Sequence, residues 1–174
     1  MTDPEPVEVT NLDTYGHETL PWSRARDLFV ADPASERPCY LGTVRPDGRP
    51  HAAGVGAVYH DGDLWIVSGP ETRKSRNLAA EPRCTISTRL PGLDLVLEGR
   101  ATRVTDPETL AAVAAIYRES GWPAEVDGDA FTAPYSAPSA GPPPWYLYRF
   151  TTTSAVGVAH EEPHGATRWR FAPE

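Results

Sequence analysis

The sequence predicts a mostly β (α+β) domain, with about six antiparallel strands closing into a barrel and helices at its edges. Three observations carry this. Short alternating or apolar runs recur from residue 39 to residue 171. Turn chemistry at Pro46-Asp47-Gly48 and at His60-Asp61-Gly62 separates them by a few residues, which makes neighbouring strands antiparallel. So many strands in 174 residues leave exposed edges unless the sheet closes on itself.

The elements follow in order. An apolar stripe of Trp22, Ala25, Leu28 and Phe29 predicts a helix over Thr19–Asp32. Strands are expected over Cys39–Val44, His51–Tyr59 and Leu64–Ser68. Thr72 is the N-cap of a short helix that ends before Pro82. "RCTISTR" reads as a strand, and the Pro91-Gly92 turn leads into a long one that alternates Leu93, Leu95 and Leu97 inward. Asp106 as N-cap and Pro107 at the first helical position open a further helix, whose buried stripe is Leu110, Val113, Ala114 and Tyr117. Residues 120–144, rich in Pro, Gly, Ser and Ala, form a long irregular loop that Trp122, Phe131 and Tyr135 mark as a packed lid. "WYLYRFTTTSAVGVA" and "ATRWRF" are the closing strands. Residues 1–18 are expected as a flexible lead-in to a single domain over 19–174.

Composition narrows the function. A formal charge of −8, a pI near 5.1 and the lack of a basic block argue against nucleic acid and anionic membrane as partners. No apolar run approaches the roughly 20 residues that cross a bilayer. The acidic start lacks the apolar core of a secretory signal, so a cytoplasmic location is expected. Cys39 and Cys84 lie in strands without a CxxC or a Cys–His cluster, and read as reduced core residues. His160 and His164 stand four apart, but Pro163 and Gly165 break the helix that would join them, so no metal is expected. His51, at a strand start, reads as structural or solvent-facing. There is no nucleophile elbow or Walker loop, and Gly54-Val55-Gly56 lies within a strand.

Three stretches could carry chemistry. Thr72-Arg73-Lys74, which includes the chain's one lysine, opens a helix whose free N–H groups and dipole favour an anion. A surface helix with solvated cations, partly neutralised by Glu71, is the alternative. In "HAAGVGAVY", Ala52, Gly54 and Gly56 leave one strand face bare, either for a flat ring or for tight sheet packing at a barrel corner. Arg168-Trp169-Arg170 could stack on a planar ligand, or be an amphipathic edge strand with a buried Trp.

Two motifs carry a family resemblance: T-x-R-x-D-G-R-P-H over Thr43–His51, and T-R-K-x-x-N-L followed by P-R over Thr72–Arg83. With the strand order around them, the chain resembles the pyridoxamine 5′-phosphate oxidase-like split-barrel oxidoreductases. The match spans about Tyr40 to Val104, and more loosely extends to Phe171. The resemblance implies a six-stranded split barrel and a homodimer with FMN or coenzyme F420, a deazaflavin, at the subunit interface. Thr72, Arg73 and Lys74 would hold the cofactor phosphate, with Asn77 in the same motif. Ala53, Gly54, Val55 and Gly56 would line the ring, Val67 and Ser68 would lie near the ribityl chain, and Trp169 would approach from the partner subunit. The usual Arg-x-Arg-Leu-x-Pro ending of true pyridoxamine phosphate oxidases is missing, which argues against vitamin B6 oxidation. The expected function is hydride transfer between F420 or FMN and a small conjugated organic substrate, with no catalytic residue assigned and Tyr135 as a trial proton donor. An Arg-, Ala- and Pro-rich composition of the GC-rich kind tilts the choice toward F420. A non-catalytic protein that binds flavin or haem would show the same features.

Overall fold

Strand β2 (Cys39–Val44) buries Cys39, Leu41 and Thr43 and turns Tyr40 and Val44 outward, and this period of two recurs around the molecule. The computed structural model describes residues 3–31, 37–138 and 140–172. β2 pairs with β3 (Pro50–Val55), and after a break at Gly56 the chain resumes as β4 (Ala57–His60). A tight turn joins β4 to β5 (Asp63–Ser68). Asp61 and Gly62 adopt φ of 53° and 84°, the left-handed pair that a two-residue hairpin of this twist requires.

β5 pairs with the first half of β10 (Tyr146–Ala159), and β10 pairs along its length with β7 (Leu93–Val104). β7 pairs with β6 (Arg83–Leu90), and β6 returns to β2. Counting β3 and β4 as one strand bent at Gly56, the antiparallel pairings run through six strands and return to their start. Past an irregularity between Thr152 and Ser154, the second half of β10 leaves β5 and pairs instead with β11 (Gly165–Arg170).

Two apolar clusters flank β5 and β10. One fills the ring with Leu41, Ile66, Ile86, Leu95 and Phe150, closed at one end by helix α1 (Trp22–Ala31) through Trp22 and Phe29. The other lies outside it, where Trp65 and Leu147 meet Leu110, Val113 and Tyr117 of helix α3 (Pro107–Glu119). β5 is covered on both faces, which accounts for its unbroken apolar run. Asp106 caps α3 as expected, accepting the Thr109 N–H at 2.8 Å. Both cysteines are buried and free, and burial pushes the Cys84 thiol up to about 12. Among the described residues, no helix is long and apolar enough to cross a membrane.

Some elements differ from expectation. The helix expected over Thr19–Asp32 occupies Trp22–Ala31, and Asp32 lies outside the described residues. Within the expected lead-in, β1 (Glu8–Asn11) pairs with β11 and continues the sheet. Its side chains are mostly exposed, so no apolar alternation announces it. The expected loop over 120–144 contains a small hairpin, β8 (Glu125–Asp127) with β9 (Ala130–Thr132), and Phe131 bridges to Trp145 beneath it; Ser139 lies outside the described residues.

Candidate functional site

Helix α2 (Arg73–Ala80) starts just after β5, and hydroxyl groups shape its first turn. Thr72 Oγ1 accepts the Ser75 N–H at 3.3 Å. It also lies 2.8 Å from both Ser68 Oγ and the Gly69 carbonyl, while Ser75 Oγ donates to Ser68 Oγ at 2.9 Å. The Thr72 hydroxyl is therefore engaged within the chain. Its observed part is to set the turn, not to offer a free donor to an anion.

Arg73 is exposed and Lys74 is buried, with 7% of its surface accessible. Among the described residues no carboxylate pairs with either, and Glu71 forms no ion pair with them. Burial lowers the Lys74 pKa from its ordinary 10.5. His51 is held below 6.5 by burial first, and then by the positive charges of Arg45, Arg73 and Lys74. Its Nδ1 lies 3.4 Å from Thr43 Oγ1. Four basic groups thus converge from the segment after β2, from β3 and from α2. Arg45 Nε is buried and has no hydrogen-bond partner among the described residues. A buried ammonium without a counter-charge, in a cluster with further basic groups, fits an anion such as phosphate.

Asn77, expected to contact the cofactor, is fully buried and donates from Nδ2 to Thr43 Oγ1 at 2.9 Å. It ties α2 to β2, and its lack of accessible surface rules out direct contact in this arrangement.

Ala52, Gly54 and Gly56 share the exposed face of this stretch. A Cβ added at Gly54 or Gly56 would meet no atom within 4 Å, and neither residue has a left-handed φ. Neither packing within the chain nor backbone conformation therefore calls for glycine there. Gly157 makes the contrast, because a Cβ there would come within 2.7 Å of the Trp169 ring. Tight packing inside the chain is thereby removed as the reason for the bare face. Ala53 and Val55 alternate to the other face, where Val55 packs against the core, so only their backbone could border a ring.

Beside Gly56 opens a cavity of about 280 Å³, lined by Val67 and Ser68 of β5 and by Tyr117, Trp122 and Trp145 of α3 and the loop after it. Ser68 joins the two parts of the site, since it lines the cavity and bonds to the α2 cap. Tyr135 packs against Trp145 with ring centroids 6.3 Å apart.

Trp169 does not belong here. It is 1% exposed, donates from Nε1 to the Leu20 carbonyl at 3.1 Å and packs edge-on against Trp22. β1 covers the outer edge of its strand, so β11 is no free edge from which a ring could be reached. The sequence gives Arg45 and Trp145 no role, reads His51 as structural or solvent-facing, and reads Trp122 as part of a packed lid; the structure brings Arg45 and His51 into the basic cluster and the two tryptophans to the cavity wall.

No curated protein matches the chain. Solved structures do. A pyridoxamine 5′-phosphate oxidase-related, FMN-binding protein from Nostoc punctiforme is 16% identical with a TM-score of 0.56, covering 91% of this chain and 100% of that one. An F420 reductase is 21% identical with a TM-score of 0.52, covering 73% and 92%. A heme-binding protein from Mycobacterium smegmatis is 19% identical with a TM-score of 0.58, covering 86% of this chain and 59% of that one. At such identities the likeness is one of fold, and it agrees with the six-stranded path traced above. The family model described as pyridoxamine 5′-phosphate oxidase matches residues 25–141, well over half the sequence, and so this chain belongs to the pyridoxamine 5′-phosphate oxidase family.

Proposed function

We propose that the protein is an oxidoreductase that binds coenzyme F420 or FMN and passes hydride between it and a small conjugated organic substrate. The observation that carries this is the buried Lys74, without a counter-charge, in a chain whose neighbouring strand is left bare at Gly54 and Gly56. His51, which the basic side chains of Arg45, Arg73 and Lys74 surround, lies on the same strand as Gly54, and this closeness supports the reading. Arg45, His51, Arg73 and Lys74 would hold the phosphate, while Gly54, Gly56, Val67 and Ser68 would bed the ring and chain. When bound, such a cofactor supplies the two-electron chemistry, and the protein's task is to bind, orient and exclude water. Trp122 and Trp145 would shield the reacting face. The balancing proton would come from solvent or from Tyr135, which is 46% exposed beside Trp145.

In this reading the working unit is a homodimer. Tyr40, Val96 and Val158 are exposed on the outer faces of β2, β7 and β10, and Tyr40 stands directly opposite Gly54. A second copy laid on that face would cover a ring that one chain leaves open to water.

The test is titration of the purified protein with F420 and with FMN, followed by mixing the reduced cofactor with 2-cyclohexen-1-one or menadione. Tight binding of one cofactor and saturable, protein-dependent oxidation is the expected result. Binding without turnover by any electrophile or oxygen would replace the enzyme with a carrier or sensor.

A further inference from the structure

Asn77 has no accessible surface, yet one hydrogen bond extends its reach to the basic cluster. Its Nδ2 donates to Thr43 Oγ1 at 2.9 Å, and its Oδ1 has no hydrogen-bond partner among the described residues. Thr43 is 3% exposed, so its own hydroxyl hydrogen is not left to water. Nδ2 is itself a donor and cannot take that hydrogen. Within reach of the hydroxyl lies His51, with Nδ1 at 3.4 Å and the carbonyl at 3.5 Å. These contacts are longer than the roughly 2.7–2.8 Å usual for an O–H donor, and hydrogen bonds of this kind commonly tighten when a site is filled.

The far side of the imidazole is open. His51 is half-buried, and its Nε2 bonds to no group among the described residues. The residue borders a groove of about 840 Å³ together with Thr43 and Ala52, and Ala52 shares its exposed face with Gly54 and Gly56. Burial, and after it the charges of Arg45, Arg73 and Lys74, keep the ring neutral at neutral pH. A neutral imidazole carries one N–H, and the bond made by one nitrogen decides which nitrogen holds it.

We propose that Asn77 and Thr43 are positioning residues that fix the tautomer of His51. Asn77 Nδ2–H donates to Thr43 Oγ1, the Thr43 O–H donates to His51 Nδ1, and the ring's proton is held on Nε2 as a donor to an anion bound among Arg45, Arg73 and Lys74. The chain of donors runs in one direction, so each bond strengthens the next. The reverse chain has a distinct consequence. With the amide turned over, Thr43 would donate to Asn77 and accept from Nδ1–H, and Nε2 would meet the anion with a lone pair. The assignment rests on the proposed function for the anion, and adds how two residues too buried to touch it act on its binding.

The experiment is long-range ¹H–¹⁵N correlation NMR of the imidazoles at about pH 8, above the ordinary histidine value of about 6.5, with and without inorganic phosphate. The His51 signals are assigned by their absence from His51→Gln. With phosphate bound, His51 should show a protonated Nε2 and an unprotonated Nδ1. Thr43→Val, which keeps the shape and removes the hydroxyl, should lose that preference and bind phosphate about two- to tenfold more weakly, the scale of one net hydrogen bond. Thr43→Ser should restore both. Asn77→Asp replaces the amide donor with an acceptor of the same shape, so the chain should reverse and the proton should move to Nδ1. Phosphate bound by the wild-type protein with the proton on Nδ1, or bound by Thr43→Val as tightly as by wild type, would overturn the positioning and leave the anion site standing. Asn77→Asp with the proton still on Nε2 would remove Asn77 from the chain. An Nε2–H ring that Thr43→Val disturbs, in a protein that binds no phosphate, would defeat the anion site and leave the positioning standing.

Discussion

Among the described residues Lys74 is a buried ammonium without a paired carboxylate, and folding alone gives no reason to keep one there. Lys74→Met retains most of the stem and removes the charge. Stability should hold or rise, because folding no longer desolvates an unpaired ion. Affinity for a phosphate-bearing cofactor should fall by about tenfold or more, matching the roughly 1.5–3 kcal/mol of a charge-assisted hydrogen bond. Thermal melts and cofactor titration read the two effects separately, and loss of stability with unchanged affinity would make Lys74 structural. His51 supplies an independent check. Its folded pKa lies below 6.5 through burial and the Arg45, Arg73 and Lys74 charges. It therefore contributes stability that is present above 6.5 and lost as pH falls through the folded value. Inorganic phosphate among those cations should raise the His51 midpoint, seen by NMR titration of its ring proton. A midpoint indifferent to phosphate would dissolve the cluster as an anion site.

Glycines in strands separate packing from binding. At Gly157 of β10 the Trp169 ring occupies the place of a Cβ, so Gly157→Ala should destabilise by about 1–3 kcal/mol through overpacking. At Gly54, and at Gly56 where β3 gives way to β4, the same change meets open space. Gly54→Ala and Gly56→Ala should leave stability unchanged or raise it by about 0.4–1 kcal/mol, since alanine restricts the unfolded chain. Both should nevertheless weaken the cofactor, because a methyl group would stand in the ring's bed. Chemical denaturation of the three variants beside cofactor titration tests the contrast. A large stability loss at Gly54 would return that strand face to a packing role.

Among the described residues the strand path leaves an outward sheet surface exposed around Tyr40 and Val96. The registers align Gly54, Tyr40, Ser87 and Val96 across β3, β2, β6 and β7, with Tyr40 53% and Val96 40% exposed. A homodimer on this surface should bury on the order of 1,200–2,000 Å² in total. Light scattering should find twice the 18.9 kDa chain mass, and Tyr40→Glu should return it to a monomer with weakened cofactor binding. A wild-type monomer that binds cofactor with full affinity would separate the site from assembly.

Much of this architecture is written locally. β2 alternates buried and exposed residues along its whole length, Asp61-Gly62 has the backbone freedom its turn requires, and Thr72 and Asp106 cap the helices they precede. Periodicity, turn chemistry and capping act over a few residues, so a linear reading reaches them. What covers a face depends on contacts far apart in the chain. The alternation of Arg168-Trp169-Arg170 was legible, but only the tertiary structure lays β1 along β11 and Trp22 against Trp169, turning an apparent ligand platform into core. The lysine's place at a helix start was legible too. Its burial without a counter-charge, and its meeting with Arg45 and His51, exist only once β2, β3 and α2 are brought together.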